Sequence, residues 1–211
     1  MKALLIISIS FAFTLTTFAQ LEKLKPEQGY FSGFSDNNLY YPTVRKVLYD
    51  EVPPLPKVRI IVLPSFSAEY LITIYRNKDI VYLSYRIAKK KIWDFCNLTN
   101  DKVGYTESKI NFDPILANKL ESLFFQAIRN AKFTSLEADV EVGDGVHFIF
   151  ETFKGGYGII GGEAWAPSRT TDHSGLITLA YWLEDCAKQG QILDKNKMTV
   201  IIDDLIKQTG K

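Results

Sequence analysis

The sequence has little cysteine, little histidine and almost no net charge. Its 211 residues contain two cysteines and two histidines, and 25 basic side chains stand against 24 acidic ones. Two cysteines are too few for a disulfide framework or a four-cysteine zinc site. A net charge of +1 argues against a nucleic-acid partner, because phosphate binding needs a basic face. Hydrophobic residues make up 46% of the chain, which is enough to bury a core and argues against disorder.

Long apolar runs are also lacking, except at the N-terminus, where residues 1–19 have the pattern of a secretory signal peptide. Lys2 is followed by an apolar stretch from Ala3 to about Leu15 and then by small residues, which predicts cleavage after Ala19. The stretch is shorter than the roughly 20 residues of a membrane-spanning helix. We therefore predict an exported protein, periplasmic or extracellular, with no membrane span after signal cleavage.

An oxidising compartment would permit a disulfide between Cys96 and Cys186. Such a bridge would close a long loop and stabilise the fold by roughly 4 kcal/mol. Two separate buried thiols are the alternative, because spacing along the chain does not establish distance in space.

Residues 20–56 are interrupted by several prolines and glycines, and we predict an extended N-terminal arm. Its aromatic side chains are expected to pack on the domain, because burial of aromatic rings is strongly favourable and usually occurs within the protein itself. The alternative is an aromatic platform for a sugar or a peptide. The rings in question are Tyr30, Phe31, Phe34, Tyr40 and Tyr41.

Residues 57–211 are predicted to form a single α+β domain. Strands are expected at 57–63, 69–76, 79–87, 136–142, 146–153 and about 157–165. Helices are expected after the capping pair Asp113-Pro114, after Ser174, and from about Thr199 to Lys207. Hairpin-length connections favour an antiparallel sheet of about six strands, with two or three helices packed on one face.

The glycines at 156, 158 and 161 match the G-x-G-x-x-G spacing of dinucleotide-binding loops. That loop must open a helix, and the residues that follow, up to Pro167, are not helical in pattern. The glycines are therefore expected to shape a hairpin, and we predict no cofactor.

Catalytic and metal sites have little support in the sequence. His147, Glu163, Asp172 and His173 are enough residues for a metal site, but their spacing does not require one. Neither cysteine, nor any serine, lies in a recognisable nucleophile signature. We predict no catalytic residue and no metal ligand.

The candidate contact surface lies in the hairpin at 153–167 and on an acidic strand face. Aromatic side chains anchor interfaces, while charges at the rim steer association. Burial of Trp165 in the core is the alternative for that residue. The surface comprises Tyr157, Glu163 and Trp165, together with Glu137, Asp139 and Glu141.

Around residues 110–190 the chain resembles small exported bacterial proteins of uncharacterised function. The resemblance is carried by Asp144-Gly145, Phe148, Phe150, the glycines at 155–162 and Trp165-Ala166-Pro167. It implies an α+β fold and an envelope location, and it transfers no catalytic residue.

Three functions remain open. The first is a non-enzymatic domain that binds an envelope or secreted protein, for example as an inhibitor or immunity-type protein. The second is a small envelope hydrolase with His147 or His173 as its base. The third is a structural component of the envelope, whose arm at 20–56 would order on assembly.

Overall fold

The fold combines one β-sheet with four α-helices and a short 3-10 helix among the residues that the structure describes. The structure, a computed structural model, describes residues 24–26, 39–95, 103–132, 144–166 and 175–209. Within these residues the strands are β1 (Lys25–Pro26), β2 (Val58–Pro64), β3 (Tyr70–Asn77), β4 (Ile80–Ala88), β5 (Tyr105–Asn111), β6 (Val146–Lys154) and β7 (Gly158–Ala166). The helices are α1 (Tyr40–Leu48), α2 (Pro114–Arg129), α3 (Gly175–Gln189) and α4 (Lys195–Thr209), with a short 3-10 helix at Ile92–Asp94.

All seven strands join one antiparallel sheet in the order β1-β7-β6-β2-β3-β4-β5. The predicted α+β class is confirmed, with seven strands in place of about six. The sequence reasoning missed β1, which has only two residues, and β5. β5 lies at the edge of the sheet and carries exposed Glu107 and Lys109, so it lacks the apolar alternation that marks a half-buried strand. The strand expected at 136–142 lies outside the described residues.

Helices α2 and α3 pack on one face of the sheet, and α4 packs against both of these helices. This side of the sheet is here called the three-helix face. Alternate strand residues such as Ile60, Ile72 and Leu83 point to this face and form one buried cluster with the three helices. The predicted cap of α2 is present, because the Asp113 carboxylate accepts hydrogen bonds from the Ile115 and Leu116 N–H groups at 2.8 and 2.9 Å.

Helix α1 packs on the opposite face, here called the α1 face. This corrects the prediction that residues 20–56 are extended throughout, since 40–48 are helical. Pro42 had suggested a break, but it lies in the first turn, where the backbone N–H has no partner within the helix. Val44 and Leu48 are fully buried in a second cluster that includes Ile61 of the sheet. Burial of this apolar stripe stabilises the helix.

The glycine-rich segment forms the β6–β7 hairpin, as expected. Lys154 pairs with Gly158 across the turn, and Gly156 and Gly158 have φ angles of +84° and +77°. This backbone region favours glycine because it has no Cβ. The G-x-G-x-x-G spacing therefore lies in a turn and a strand, and does not open a helix.

In the described part of the chain, no helix combines the length and the apolar character needed to cross a membrane. The predicted signal peptide, residues 1–19, lies outside that part. Cys186 is buried, and its Sγ accepts a hydrogen bond from the Leu193 N–H at 3.3 Å. Cys96 lies outside the described residues, so the bridge between them stays a prediction.

Candidate functional site

An open cleft with a volume of about 480 Å³ lies on the α1 face. It forms where the first turn of α1, the end of β2, the 3-10 helix and the start of β6 meet. Its volume and its mixture of aromatic and polar walls are typical of binding sites in proteins. The cleft is lined by Tyr40, Tyr41, Leu63, Pro64, Ser65, Phe66, Lys91, Trp93, Asp144 and His147.

Two large aromatic side chains of the cleft are exposed to solvent. Phe66 is 78% exposed and Trp93 is 56% exposed. Behind them, the buried ring of Tyr40 meets the Trp93 indole edge-on, with 5.0 Å between the ring centroids. Exposed aromatic surface that adjoins a cleft often marks a binding site.

A buried carboxylate fixes the position of Trp93. Glu69 is fully buried and accepts hydrogen bonds from the backbone N–H groups of Ile92 and Trp93, at 2.6 and 3.1 Å. These N–H groups open the 3-10 helix and have no partner within it, so the carboxylate acts as a cap. The backbone that carries the indole is therefore held in place by its hydrogen bonds to Glu69.

Two buried arginines hold the segment after α1 against the sheet. Arg59 pairs with Glu151 at 3.1 Å and donates a hydrogen bond to the Pro53 carbonyl oxygen at 2.8 Å. Arg86 pairs with Glu107 at 3.2 Å and donates to the Leu48 carbonyl oxygen at the end of α1. A cation at a helix C-terminus is favoured by the helix dipole. The ion pairs and hydrogen bonds of these two arginines therefore hold the α1 wall of the cleft in place.

His147 and Glu163 form a pair at the cleft. His147 Nε2 lies 3.3 Å from Glu163 Oε2. The two residues come from neighbouring strands, where His147 pairs with Trp165 and Ile149 with Glu163, so the period of two puts both side chains on the α1 face. Glu163 is buried, and a buried carboxylate needs a polar partner. At this distance the carboxylate is close enough to influence the orientation of the imidazole ring.

Trp165 lies at the side of the cleft and is 37% exposed. Its ring packs against Gly145, where an added Cβ would come within 2.5 Å of two indole carbons. Gly145 stands between the cleft residues Asp144 and His147, so the indole covers the backbone that carries them. Part of the Trp165 side chain therefore packs against the protein, and part of it is exposed to solvent.

The predicted contact residues do not form one patch. Tyr157 is exposed in the turn of the hairpin, and its ring contacts Phe125 of α2 at a centroid distance of 5.4 Å. Trp165 lies eight residues along the chain, at the other end of β7 and roughly 26 Å away at the usual rise per strand residue. The structure brings Glu163 and Trp165 to the neighbourhood of His147 and leaves Tyr157 apart.

Glu137, Asp139, Glu141, Asp172 and His173 lie outside the described residues. Among the residues that the structure describes, no three or more His, Cys, Asp or Glu side chains are grouped as a metal site would require. Sequence reasoning missed Phe66 and Trp93 as site residues. The only local signal was Phe66 between two serines, just after Pro64 ends β2.

Comparison of the chain with protein-family models, curated proteins and solved structures gave no significant match. The resemblance to small exported bacterial proteins therefore stays a prediction.

Proposed function

We propose that the chain is an exported, non-enzymatic domain that binds a protein partner in the aromatic cleft. The observation that carries the proposal is the pair of exposed rings, Phe66 and Trp93, at a cleft of about 480 Å³. Exposure of aromatic side chains to water is unfavourable, and the free energy falls when a partner covers them. Aromatic anchors in a pocket are typical of the residues that dominate binding energy at protein interfaces.

The surroundings of the two rings suit an interface. Lys91, Asp144 and His147 line the same cleft, so apolar anchors stand beside groups of both charges. Such a polar rim gives orientation and specificity more than affinity. The hydrogen bonds of Glu69 and the two arginine anchors hold the walls in place, which lowers the entropic cost of binding.

The predicted signal peptide places the partner in the envelope or outside the cell. An inhibitor or immunity-type protein is the form of binding domain that we favour, with a secreted hydrolase or toxin as its target. A protein of this kind needs a preformed contact site and no chemistry of its own.

The test is an affinity capture with the tagged mature chain from native envelope extract, read by mass spectrometry. We compare the unaltered chain with a Phe66→Ala/Trp93→Ala variant and with Ile115→Ala as the matched control. Ile115 is 68% exposed on α2, away from the cleft. The proposal requires one stoichiometric protein that is retained by the control and lost by the cleft variant. Equal capture by both variants, or no enriched protein, would overturn it.

A second candidate function rests on the His147–Glu163 pair. A histidine beside a carboxylate is an arrangement that general bases use, and His147 lines a cleft that a substrate can enter. In this alternative the chain is a small envelope hydrolase. Replacing His147 by alanine should then lower the rate of hydrolysis of envelope polymer by roughly 10²- to 10⁴-fold. An unchanged rate, or no hydrolysis by the unaltered chain, would reject it.

A further inference from the structure

A second cavity, with a volume of about 280 Å³, opens on the three-helix face between α3 and the sheet. At roughly 30 Å³ per water molecule, it has room for about nine waters or one small organic molecule. The polar part of its lining comes from Ser67, from Tyr70 and Tyr85 of the sheet, and from Tyr181, Glu184 and Lys188 of α3. Its lining shares one residue, Pro64, with the lining of the cleft on the α1 face.

The carboxylate of Glu184 belongs to the wall of this cavity, although the residue is only 3% exposed. It accepts a hydrogen bond from the Tyr70 hydroxyl at 2.9 Å. Burial, together with the charge of Glu184, raises the pKa of Tyr70 well above its ordinary value, so the phenol stays a neutral donor. A carboxylate removed from water in this way needs a positive charge close by.

That positive charge is the ammonium group of Lys188. Its Nζ lies 2.6 Å from Glu184 Oε1 and 5.5 Å from the centroid of the Tyr85 ring. The Tyr70 ring stands beside the Tyr85 ring, with 5.4 Å between centroids. A carboxylate and aromatic faces around one cation are the elements of an ammonium-binding site.

The lysine that holds this position lies partly at the surface. The Lys188 side chain is 45% exposed, so its flexible stem can carry the ammonium group into water when another cation takes its place on Glu184. A second primary ammonium ion that enters the cavity would find the same carboxylate and the same ring.

We propose that this cavity binds a small organic molecule with a primary ammonium group, which takes the place of the Lys188 ammonium on Glu184. The bound group would donate hydrogen bonds to the carboxylate, and its carbon chain would lie along Tyr70, Tyr85 and the apolar lining residues Ile87 and Val146. The ligand class follows from the chemistry of the cavity wall. A primary ammonium group can donate hydrogen bonds to the Glu184 carboxylate, whereas an anion would be repelled by its negative charge.

The experiment is an NMR titration of the ¹⁵N-labelled mature chain with n-butylammonium chloride, which has the shape of a lysine side chain. n-Butanol is the uncharged comparison, and sodium chloride keeps the ionic strength constant. With about five heavy atoms, such a probe is expected to bind with a Kd on the order of 1 mM. The shifts should saturate and should centre on α3, β3 and β4.

Three variants sharpen the test. Glu184→Gln removes the charge and should weaken binding at least about tenfold, the usual effect of losing a hydrogen bond to a charged group. Glu121→Gln is the matched control, since Glu121 pairs with Lys57 away from the cavity, and it should leave the affinity unchanged. Lys188→Met keeps the carboxylate and removes the competing cation, so the affinity should rise, about tenfold.

The proposal is overturned if the unaltered chain shows no saturable shift, or if n-butanol binds as tightly as the ammonium ion. It is also overturned if Glu184→Gln binds like the unaltered chain. Should Glu184→Gln fail to fold, Lys188→Met decides alone: tighter binding supports the ammonium site, and unchanged affinity rejects it.

Discussion

The buried pair of Arg59 and Glu151 offers a sharp test of how the α1 face is held together. The two side chains are only 4% and 11% exposed, and 3.1 Å separates Arg59 Nη1 from Glu151 Oε2. Arg59→Met removes the positive charge and leaves the carboxylate buried beside an apolar side chain. Breaking a buried pair in this way costs about 3–5 kcal/mol, mostly because the remaining charge is uncompensated.

Removal of both charges should be less harmful than removal of one. In the double variant Arg59→Met/Glu151→Leu no unpaired charge remains. The principal loss is the hydrogen bond from Arg59 to the Pro53 carbonyl oxygen, and the longer hydrogen bond from the Tyr49 hydroxyl to Glu151, at 3.5 Å, is lost as well. We expect the double variant to be destabilised by about 1–3 kcal/mol, the cost of one buried acceptor without a donor. The double variant should therefore be more stable than Arg59→Met alone.

Urea unfolding of the mature chain, followed by circular dichroism, measures these differences. With a slope of about 2 kcal/mol per molar urea, the Arg59→Met midpoint should fall by about 1.5–2.5 M. Lys119→Met is the control, because the side chains of the Lys119–Asp203 pair are 32% and 40% exposed and the pair should contribute less than about 1 kcal/mol. The reasoning fails if Arg59→Met costs no more than this control, or if the double variant is as unstable as the single one.

Two further predictions concern the α2 cap and the packing of Trp165. Asp113→Ala should cost about 1 kcal/mol at pH 7 in urea unfolding, because Ile115 and Leu116 lose their capping acceptor. Hydrogen bonds from Lys195 and Leu116 hold the Asp113 pKa below its ordinary value, so the gap to the unaltered chain should shrink as pH falls below about 4, and a constant gap would contradict this. Gly145→Ala should cost about 1–3 kcal/mol, because its Cβ would come within 2.5 Å of the indole and 2.6 Å of the Ala166 carbonyl oxygen. Gly155→Ala meets no atom within 4 Å and should be nearly neutral in the same assay; equal losses would show that crowding at Trp165 is not the cause.

Local pattern was sufficient for much of the secondary structure. In α2 the residues Leu116, Leu120 and Leu123 recur at helical spacing, and all three are fully buried. Asp113-Pro114 marked the start of that helix, and the glycines after Lys154 marked a turn. Such features depend on neighbours a few residues away, so the sequence states them directly.

Local pattern did not predict the segments whose structure depends on contacts with distant parts of the chain. The sequence predicted that residues 40–48 are part of an extended arm, because two tyrosines and Pro42 give little intrinsic support for a helix. The helix is held by apolar contacts to the sheet and by Arg86 at its C-terminal end. Strand β5 was missed for a similar reason, since its pairing with β4 outweighs a polar sequence.

The candidate site is the part that the sequence determined least. Tyr40, Phe66, Trp93 and His147 come from four separate segments, and each is unremarkable in its own surroundings. They meet because β6 pairs with β2 and α1 crosses the same sheet face. The sequence by itself determined which side of a helix or strand is apolar. Only the tertiary structure decided which segments share a face, because strand order rests on contacts between residues far apart in the chain.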